Sequence, residues 1–274
     1  MPPAAGHLYE VQRMAQGGMV IFMDYKIITD SCCEFLDEWL NDSRFERVGR
    51  GIAGEPSPEE YLEAMKTDAS YIFVFTLSGK VSRSYHSAMS ARHMMNMLIK
   101  KEGLPEKKIF VCDSKSVSGG ETMLAIKAVE MLEDGMEFSD ICVNLMFFRN
   151  RLKTYLWMEG SGSMAVDYKM NFFSGLLFKC LKVKPIMGSL DGEMIKIGYA
   201  AGIRRMSHKI LTMLKSEIKE SESKTIIITQ CNAFKKAEKI GRAIQKKYQN
   251  CRVVIVNSMD DGIFGRRGGV IVAI

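Results

Sequence analysis

Ile27-Ile28-Thr29-Asp30-Ser31 is a short apolar run that ends in an Asp-Ser step, and Asp113-Ser114-Lys115-Ser116-Val117-Ser118-Gly119-Gly120 begins with the same step after a second apolar run. In the second segment the step leads into small and polar residues that can begin a helix. Open parallel α/β sheets bind their ligands beyond the carboxyl ends of the strands. The two segments therefore predict a parallel sheet with a crevice at this edge, although Asp and Ser are also frequent turn formers at strand ends.

Strands and helices alternate through the first half of the chain. Continuous apolar, β-rich runs predict buried strands over Lys26–Asp30, Tyr71–Leu77 and Lys108–Asp113. Helical segments are expected over 35–40, from residue 57, over 84–101, from residue 118 and over 139–152. Two of the helix starts have the pattern of a capping box, namely Ser57–Glu60 and Ser118–Glu121. This alternation is typical of βαβ units in a parallel sheet.

Short strands outnumber helices in the second half. The pattern predicts strands over 154–158, 182–187, 193–199, 225–229, 253–257 and 269–274, and helices near 170–181, 203–219 and 233–248. Asp191-Gly192 is a hairpin-type turn signal. Six strands and three helices predict a two-layer domain with a mixed sheet, which begins near 150–153. In the last helix, a basic face is expected in solvent opposite an apolar face that includes Phe234, and this is favoured over a nucleic-acid-binding stripe.

The composition is that of a soluble globular protein, with 47% apolar residues, 26% charged residues and a formal net charge of +6. This charge permits an anionic ligand or an acidic partner without requiring either. No apolar run approaches the roughly 20 residues of a membrane helix. Residues 1–22 lack the pattern of a signal peptide and are expected to form a weakly structured extension. The 21 methionines are interpreted as core filling in preference to a lipid-facing surface.

Neither metal binding nor nucleophilic catalysis has a clear pattern in this sequence. The seven cysteines show no Cys-x-x-Cys spacing and are typical of reduced, packed thiols in a cytosol, and the four histidines lack metal-ligand spacing. There is no Gly-x-Ser-x-Gly motif, and the Ser82–His86 pair lacks an orienting acid. We therefore predict no metal, no cofactor and no catalytic residue, and interpret the chain as a protein that holds a ligand without transforming it.

The whole chain from about residue 26 onward resembles the bacterial DegV family. The resemblance rests on six segments in the family's order: 27–31, 55–60, 78–88, 113–120, 153–155, and 183–186 followed by Asp191-Gly192. It implies a two-domain fold of the EDD type, with a three-layer α/β/α domain on a parallel sheet and a two-layer α/β domain on a six-stranded mixed sheet. The expected domains are 23–152 and 153–274, after the extension 1–22.

The resemblance also implies a long-chain fatty acid in the cleft between the two domains. In fatty-acid-binding members, hydroxyls and a cation near the domain interface hold the lipid carboxylate. These positions fall on Ser82, on Ala53 in place of a threonine, on Lys169 in place of an arginine, and on Phe264 in place of a histidine. Only Ser82 keeps the family's residue type, while Lys169 keeps the charge without the bidentate geometry of arginine.

Three further residues complete the predicted lipid-binding set. Arg83 replaces a family glycine and adds a charge beside Ser82, while Ser84 adds a second hydroxyl at the start of a predicted helix. Arg266, which Arg267 follows, stands in the Gly-rich segment near the C-terminus. Free N–H groups at a helix start can bind an oxyanion. The alternative is that Ser82 and Ser84 only cap the helix and that the cations only face water.

These expectations give a cytoplasmic bacterial lipid-binding protein that is not an enzyme. The resemblance implies a fatty-acid kinase as a partner, to which the bound carboxylate would be presented, and it implies neither nucleic acid nor stable membrane insertion. Two alternatives stay open. One is a phosphotransfer component, because the fold is shared with dihydroxyacetone-kinase-type proteins, and the other is an interaction protein whose cleft no longer binds lipid.

Overall fold

A computed structural model describes residues 24–49, 55–158, 183–218, 224–258 and 268–274. The strands of these ranges are β1 Tyr25–Asp30, β2 Phe45–Val48, β3 Tyr71–Thr76, β4 Lys108–Asp113, β5 Thr154–Met158, β6 Val183–Leu190, β7 Glu193–Ala201, β8 Thr225–Cys231, β9 Arg252–Asn257 and β10 Gly269–Ala273. The α-helices are α1 Pro58–Met65, α2 Ser84–Glu102, α3 Gly119–Glu133, α4 Phe138–Arg151, α5 Gly202–Glu217 and α6 Phe234–Lys247.

The first sheet has four strands in the order β2-β1-β3-β4, and all of its pairings are parallel. Successive residues of a strand face opposite sides of a sheet. Accordingly, Ile28, Ile72 and Val74 pack against α1 and α2, whereas Ile27 and Phe73 pack against α3 and α4. Both faces of the sheet are covered, which explains why its strands are continuous apolar runs and confirms the three-layer α/β/α prediction.

The second sheet has six strands in the order β7-β6-β5-β10-β8-β9. Its pairings are antiparallel except for β8 with β9, so the sheet is mixed as expected. Helices α5 and α6 cover one face, where Ile210 and Ile240 pack against Trp157 and Val272. Asp191 and Gly192 both have positive φ, 48° and 87°, and form the predicted hairpin turn between β6 and β7.

The other face of the second sheet packs against the first domain. Ile227 and Ala273 join the core formed by α3, and Leu156 and Ile271 contact Leu77 of the loop after β3. The sheets are built from residues 25–113 and 154–273. The division of the chain at residues 152 and 153 stays a proposal.

Several local predictions are wrong, and the physical reasons differ. The segment 35–40 contains only a single 3-10 turn, Asp37–Trp39, in place of a helix. Strand β2 was not predicted because it is a half-polar edge strand, defined by pairing with β1 rather than by its own pattern. Phe234 does not join the apolar face of α6 but is 56% exposed at the first position of the helix. The predicted helix 170–181 and the extension 1–22 lie outside the described residues.

The described part of the chain contains no helix that combines the length and the apolar character needed to cross a membrane.

Candidate functional site

The carboxyl ends of β1, β3 and β4 meet at one edge of the first sheet, because the three strands are parallel neighbours. This edge carries Asp30-Ser31, Leu77-Ser78 and Asp113-Ser114. Two backbone hydrogen bonds tie the loops together, from Ser114 N to Thr76 O (3.1 Å) and from Ser78 N to Ser116 O (3.0 Å). Both Asp-Ser steps that the sequence singled out therefore lie at the predicted edge.

Asp30 is a buried carboxylate that accepts three hydrogen bonds. Its Oδ1 accepts from Cys32 N at 3.0 Å, and its Oδ2 accepts from Leu77 N at 2.7 Å and Ser84 Oγ at 2.6 Å. Burial raises the pKa of Asp30, while the hydrogen bonds from Ser84, Leu77 and Cys32 oppose that rise by stabilising the charged form. Asp30 thus fixes the loop after β3 and the first turn of α2 relative to β1.

Ser84 belongs to this internal network. It is 1% exposed, and its hydroxyl donates to Asp30 and therefore accepts from Tyr61 Oη, which lies 2.6 Å away. Desolvation raises the pKa of Tyr61 well above its usual value, so the phenol stays protonated and can donate. In this arrangement Ser84 positions the start of α2, and its predicted contact with a ligand stays a prediction.

Ser82 and the backbone of Arg83 form a small cradle that holds a carboxylate. Glu55 Oε1 accepts hydrogen bonds from Ser82 Oγ at 3.0 Å and from Arg83 N at 2.8 Å. Ser82 Oγ also accepts at 3.1 Å from the N–H of Ser84, the first residue of α2, although Ser82 is not the N-cap residue of this helix. The structure thus engages the Ser82 hydroxyl with Glu55 and with the start of α2, and its contact with a ligand stays a prediction.

The cradle borders a small cleft that is open to solvent. Its polar lining comes from Asp30, Ser31, Glu55, Ser82 and Ser84. Its apolar lining comes from Pro56, Leu77 and Val81. The cleft therefore combines carboxylate-binding donors with apolar surface, which are the two components needed for the end of an amphiphile.

The remaining predicted site residues, Ala53, Lys169, Phe264 and Arg266, lie outside the described residues, as does Arg267. Their convergence on the cleft stays a prediction. Arg83 is exposed. Its backbone N–H, together with the Ser82 hydroxyl, donates to Glu55 Oε1.

The pair Ser82 and His86 does not form a nucleophile and base. The Ser82 hydroxyl donates to Glu55, and His86 is an exposed residue whose ring lies beside that of Tyr85, with 5.6 Å between the centroids. Among the described ranges, no group of three or more His, Cys, Asp or Glu side chains could hold a metal ion. Cys33, Cys112 and Cys142 are free thiols.

Glu34 and Glu121 form a second group of buried acids near Asp30. The capping box predicted for Ser118–Glu121 is wrong, because the Ser118 side chain does not cap the helix. Ser118 has φ 49° and ψ −115°, which is not an N-cap conformation, and its hydroxyl contacts Glu34 and Thr229. Glu121 is fully buried. Its pKa is raised well above the usual value by desolvation and then by the charges of Asp30 and Glu34, although Arg47 opposes this.

Sequence reasoning missed two of the acids described above. The role of Glu55 depends on a contact across 27 residues of chain, and its sequence signal was only its place just before the predicted helix start. Glu121 was assigned to a capping box, since the pattern Ser-x-x-Glu does not reveal that the turn is buried between the two sheets.

Comparisons with known proteins agree with this fold. The model of the DegV family of uncharacterised proteins matches residues 54–264. A DegV domain-containing protein of Streptococcus gordonii is 25% identical over 240 residues, covering 68% of this chain and 83% of its own. The resemblance inferred from six short segments is thereby confirmed.

Two solved structures illustrate the similarity. A DegV family protein from Ruminococcus gnavus, refined with vaccenic acid, has a TM-score of 0.77 and 25% identity, covering 92% of this chain and 99% of its own. The Fatty Acid Kinase (Fak) B3 protein of Streptococcus pneumoniae, loaded with linoleic acid, has a TM-score of 0.78 and 18% identity, covering 91% of this chain and 99% of its own. The second likeness shows a shared fold.

Proposed function

Since the chain belongs to the DegV family, we propose that it holds a long-chain fatty acid, or a similar anionic amphiphile, in the cleft between domains 23–152 and 153–274. The observation that carries this proposal is the contact of Glu55 with Ser82 and Arg83 N, because it is a carboxylate held by two donors beside the solvent-open cleft of the first domain. The R. gnavus protein, which is 25% identical, contains vaccenic acid.

The acyl chain and the head group have separate roles in this proposal. Removing apolar surface from water contributes about 25 cal/mol per Å², so burial of the tail dominates the affinity. The head group needs hydrogen-bond donors, because moving a carboxylate out of water without them costs a large free energy of desolvation. Ser82 and the N–H of Arg83 supply two such donors, and we assign Lys169 and Arg266 as the cations that complete the head-group site beside Ala53 and Phe264.

We further propose a binding role without catalysis, no cofactor, a cytoplasmic location and a fatty-acid kinase as the partner. The engagement of Ser82 with Glu55 in place of His86 supports binding over nucleophilic chemistry. The free thiols of Cys33, Cys112 and Cys142 suit a reducing compartment. The Fak B3 protein, which shares the fold, supports the type of partner.

Organic extraction and mass spectrometry of the purified, unheated protein test the proposal. The wild type should carry close to one fatty acid per chain, and Ser82→Ala and Lys169→Ala should each retain much less after washing with delipidating resin. Ser90→Ala is the matched control, since the Ser90 hydroxyl only contacts the carbonyl of His86 on the exposed side of α2. If the wild type contains no amphiphile and added oleate does not raise its melting temperature, fatty-acid binding is wrong.

A further inference from the structure

The Glu55 side chain lies on the donors that a fatty-acid carboxylate would use. Its Oε1 accepts both hydrogen bonds, from Ser82 Oγ and from Arg83 N, at 3.0 and 2.8 Å. Bonds to a carboxylate are roughly twice as strong as those between neutral groups. An incoming carboxylate must therefore displace Glu55 or bind beside another negative charge.

The backbone holds Glu55 in place for this contact. Pro56 follows directly and is buried, and a residue before proline is restricted to extended conformations. Ser57 then begins α1 with a complete capping box, in which Glu60 N donates to Ser57 Oγ and Ser57 N donates to Glu60 Oε2. Glu55 is exposed, and the restriction of its backbone by Pro56 lowers the conformational entropy that it loses on binding the cradle.

Within the described ranges Glu55 forms no ion pair, and the two hydrogen bonds that its side chain accepts there both end on Oε1. A hydroxyl or primary amide can donate to Glu55 without repulsion, whereas a carboxylate can only compete for the same donors.

We propose that Glu55 determines the head-group preference of the cleft. It weakens the binding of free carboxylates relative to neutral head groups that donate a hydrogen bond, such as those of a long-chain alcohol or a primary amide. This inference rests on the proposed lipid binding and adds to it the class of head group that the site favours. Ser82 serves both ligands, since its hydroxyl can donate to a carboxylate or to Glu55.

The test compares oleate with oleyl alcohol, which share one acyl chain and differ in the head group. Dissociation constants for both lipids are measured by displacement of a fluorescent fatty-acid probe from delipidated full-length wild type, Glu55→Gln and Glu59→Gln. Glu59 is exposed in the first turn of α1, so Glu59→Gln makes the same change in net charge outside the cleft.

Glu55→Gln should lower the dissociation constant of oleate at least tenfold and leave that of oleyl alcohol within about threefold of wild type. Glu59→Gln should change neither dissociation constant. An equal change for both lipids in Glu55→Gln, or the same change in oleate binding in both variants, would show that Glu55 does not select the head group. Absence of binding by either lipid to all three proteins would overturn both the inference and the proposed function. Lipid binding with an unchanged ratio overturns the inference alone.

Discussion

Ser78 and Gly192 join the two sheets, because the buried Ser78 hydroxyl donates a hydrogen bond of 2.7 Å to the carbonyl oxygen of Gly192. Ser78 begins the loop that also carries Ser82, and Gly192 lies in the β6–β7 hairpin turn. The same turn places Asp191 2.5 Å from Lys115 in an ion pair. The contact therefore fixes one wall of the cleft relative to the second domain.

Gly192→Ala should lower the free energy of unfolding by about 2–3 kcal/mol, measured by urea denaturation, since φ is positive and the Ser78 contact is lost. The φ of Gly192 is +87°, and a Cβ there would lie 2.7 Å from Ser78 Oγ. Gly103→Ala is the control, because Gly103 has φ +65° with nothing within 4 Å of an added Cβ. Its cost should be about 1 kcal/mol. Equal losses in the two variants would mean that the contact with Ser78 contributes nothing.

The capping box at α1 gives a second prediction. Ser57→Ala should cost about 1 kcal/mol of stability, because Glu60 N loses its acceptor at the helix start. Ser90→Ala should cost less than about 0.5 kcal/mol, as an exposed substitution in the middle of a helix. Thermal unfolding of the two variants beside wild type measures the difference. A Ser57→Ala protein as stable as Ser90→Ala would contradict the cap.

Comparison of the two predicted capping boxes shows where sequence reasoning succeeds and where it fails. The box of Ser57 and Glu60 forms in solvent between residues three apart, so local pattern is sufficient to predict it. The pattern at Ser118 is equally good, but contacts with Glu34 and Thr229 bind its hydroxyl instead. These contacts span 84 and 111 residues and cannot be seen in a local pattern.

Gly120 allows the turn at Ser118 to pack closely against the loop that carries Ser116. A Cβ on Gly120 would lie 2.0 Å from Ser116 Oγ, so only glycine fits there. The sequence indicated a helix start at this Gly-Gly pair, which is right for α3, but it did not indicate that the turn is enclosed between two sheets. Helices and central strands were predictable from periodicity, while the edge strand β2 and the partners of the buried acids depend on tertiary contacts.

The site shows the same division. The edge of the sheet was predictable because parallel strands end together, while the ligand contact that the family resemblance implies for Ser82 stays a prediction. The occupation of the Ser82 cradle by Glu55 was not predictable, because the geometry of two helix starts decides it. The positions of Ala53, Lys169, Phe264 and Arg266 at the cleft stay predictions.

The buried carboxyl of Glu121 gives a prediction about pH. Desolvation and the charge of Asp30 raise its pKa well above the reference value of 4.5. At a pH below 4.5 the Glu121 carboxyl is protonated in both the folded and the unfolded state. At a pH above 4.5 it ionises in the unfolded chain, while the folded chain keeps the proton. The stability that this group contributes is therefore lost as the pH rises toward the folded pKa, by up to about 1.4 kcal/mol per pH unit.

Glu121→Gln removes this titration with little change of shape. The free energy of unfolding of the variant, minus that of wild type, should rise as the pH increases above 4.5 in urea titrations. The physical reason is that glutamine needs no proton to remain neutral in the interior. A difference that stays constant over this range would show that Glu121 does not keep a proton in the folded protein.

The pair of hydroxyls Ser116 and Thr154 gives the last prediction, and it concerns coupling between the two sheets. Their oxygens lie 2.6 Å apart, and the residues are 2% and 1% exposed. Ser116→Ala and Thr154→Val each leave one buried hydroxyl without this partner, which costs about 1–3 kcal/mol. The double variant removes both groups, so its loss should be smaller than the sum of the single losses by about 1 kcal/mol or more. Urea denaturation of the four proteins measures this coupling energy. Strict additivity of the two single losses would mean that the hydroxyls do not interact in solution. In that case β5 and β10 would be held against the first domain by the buried apolar cluster of Leu77, Leu156 and Ile271, without help from this pair.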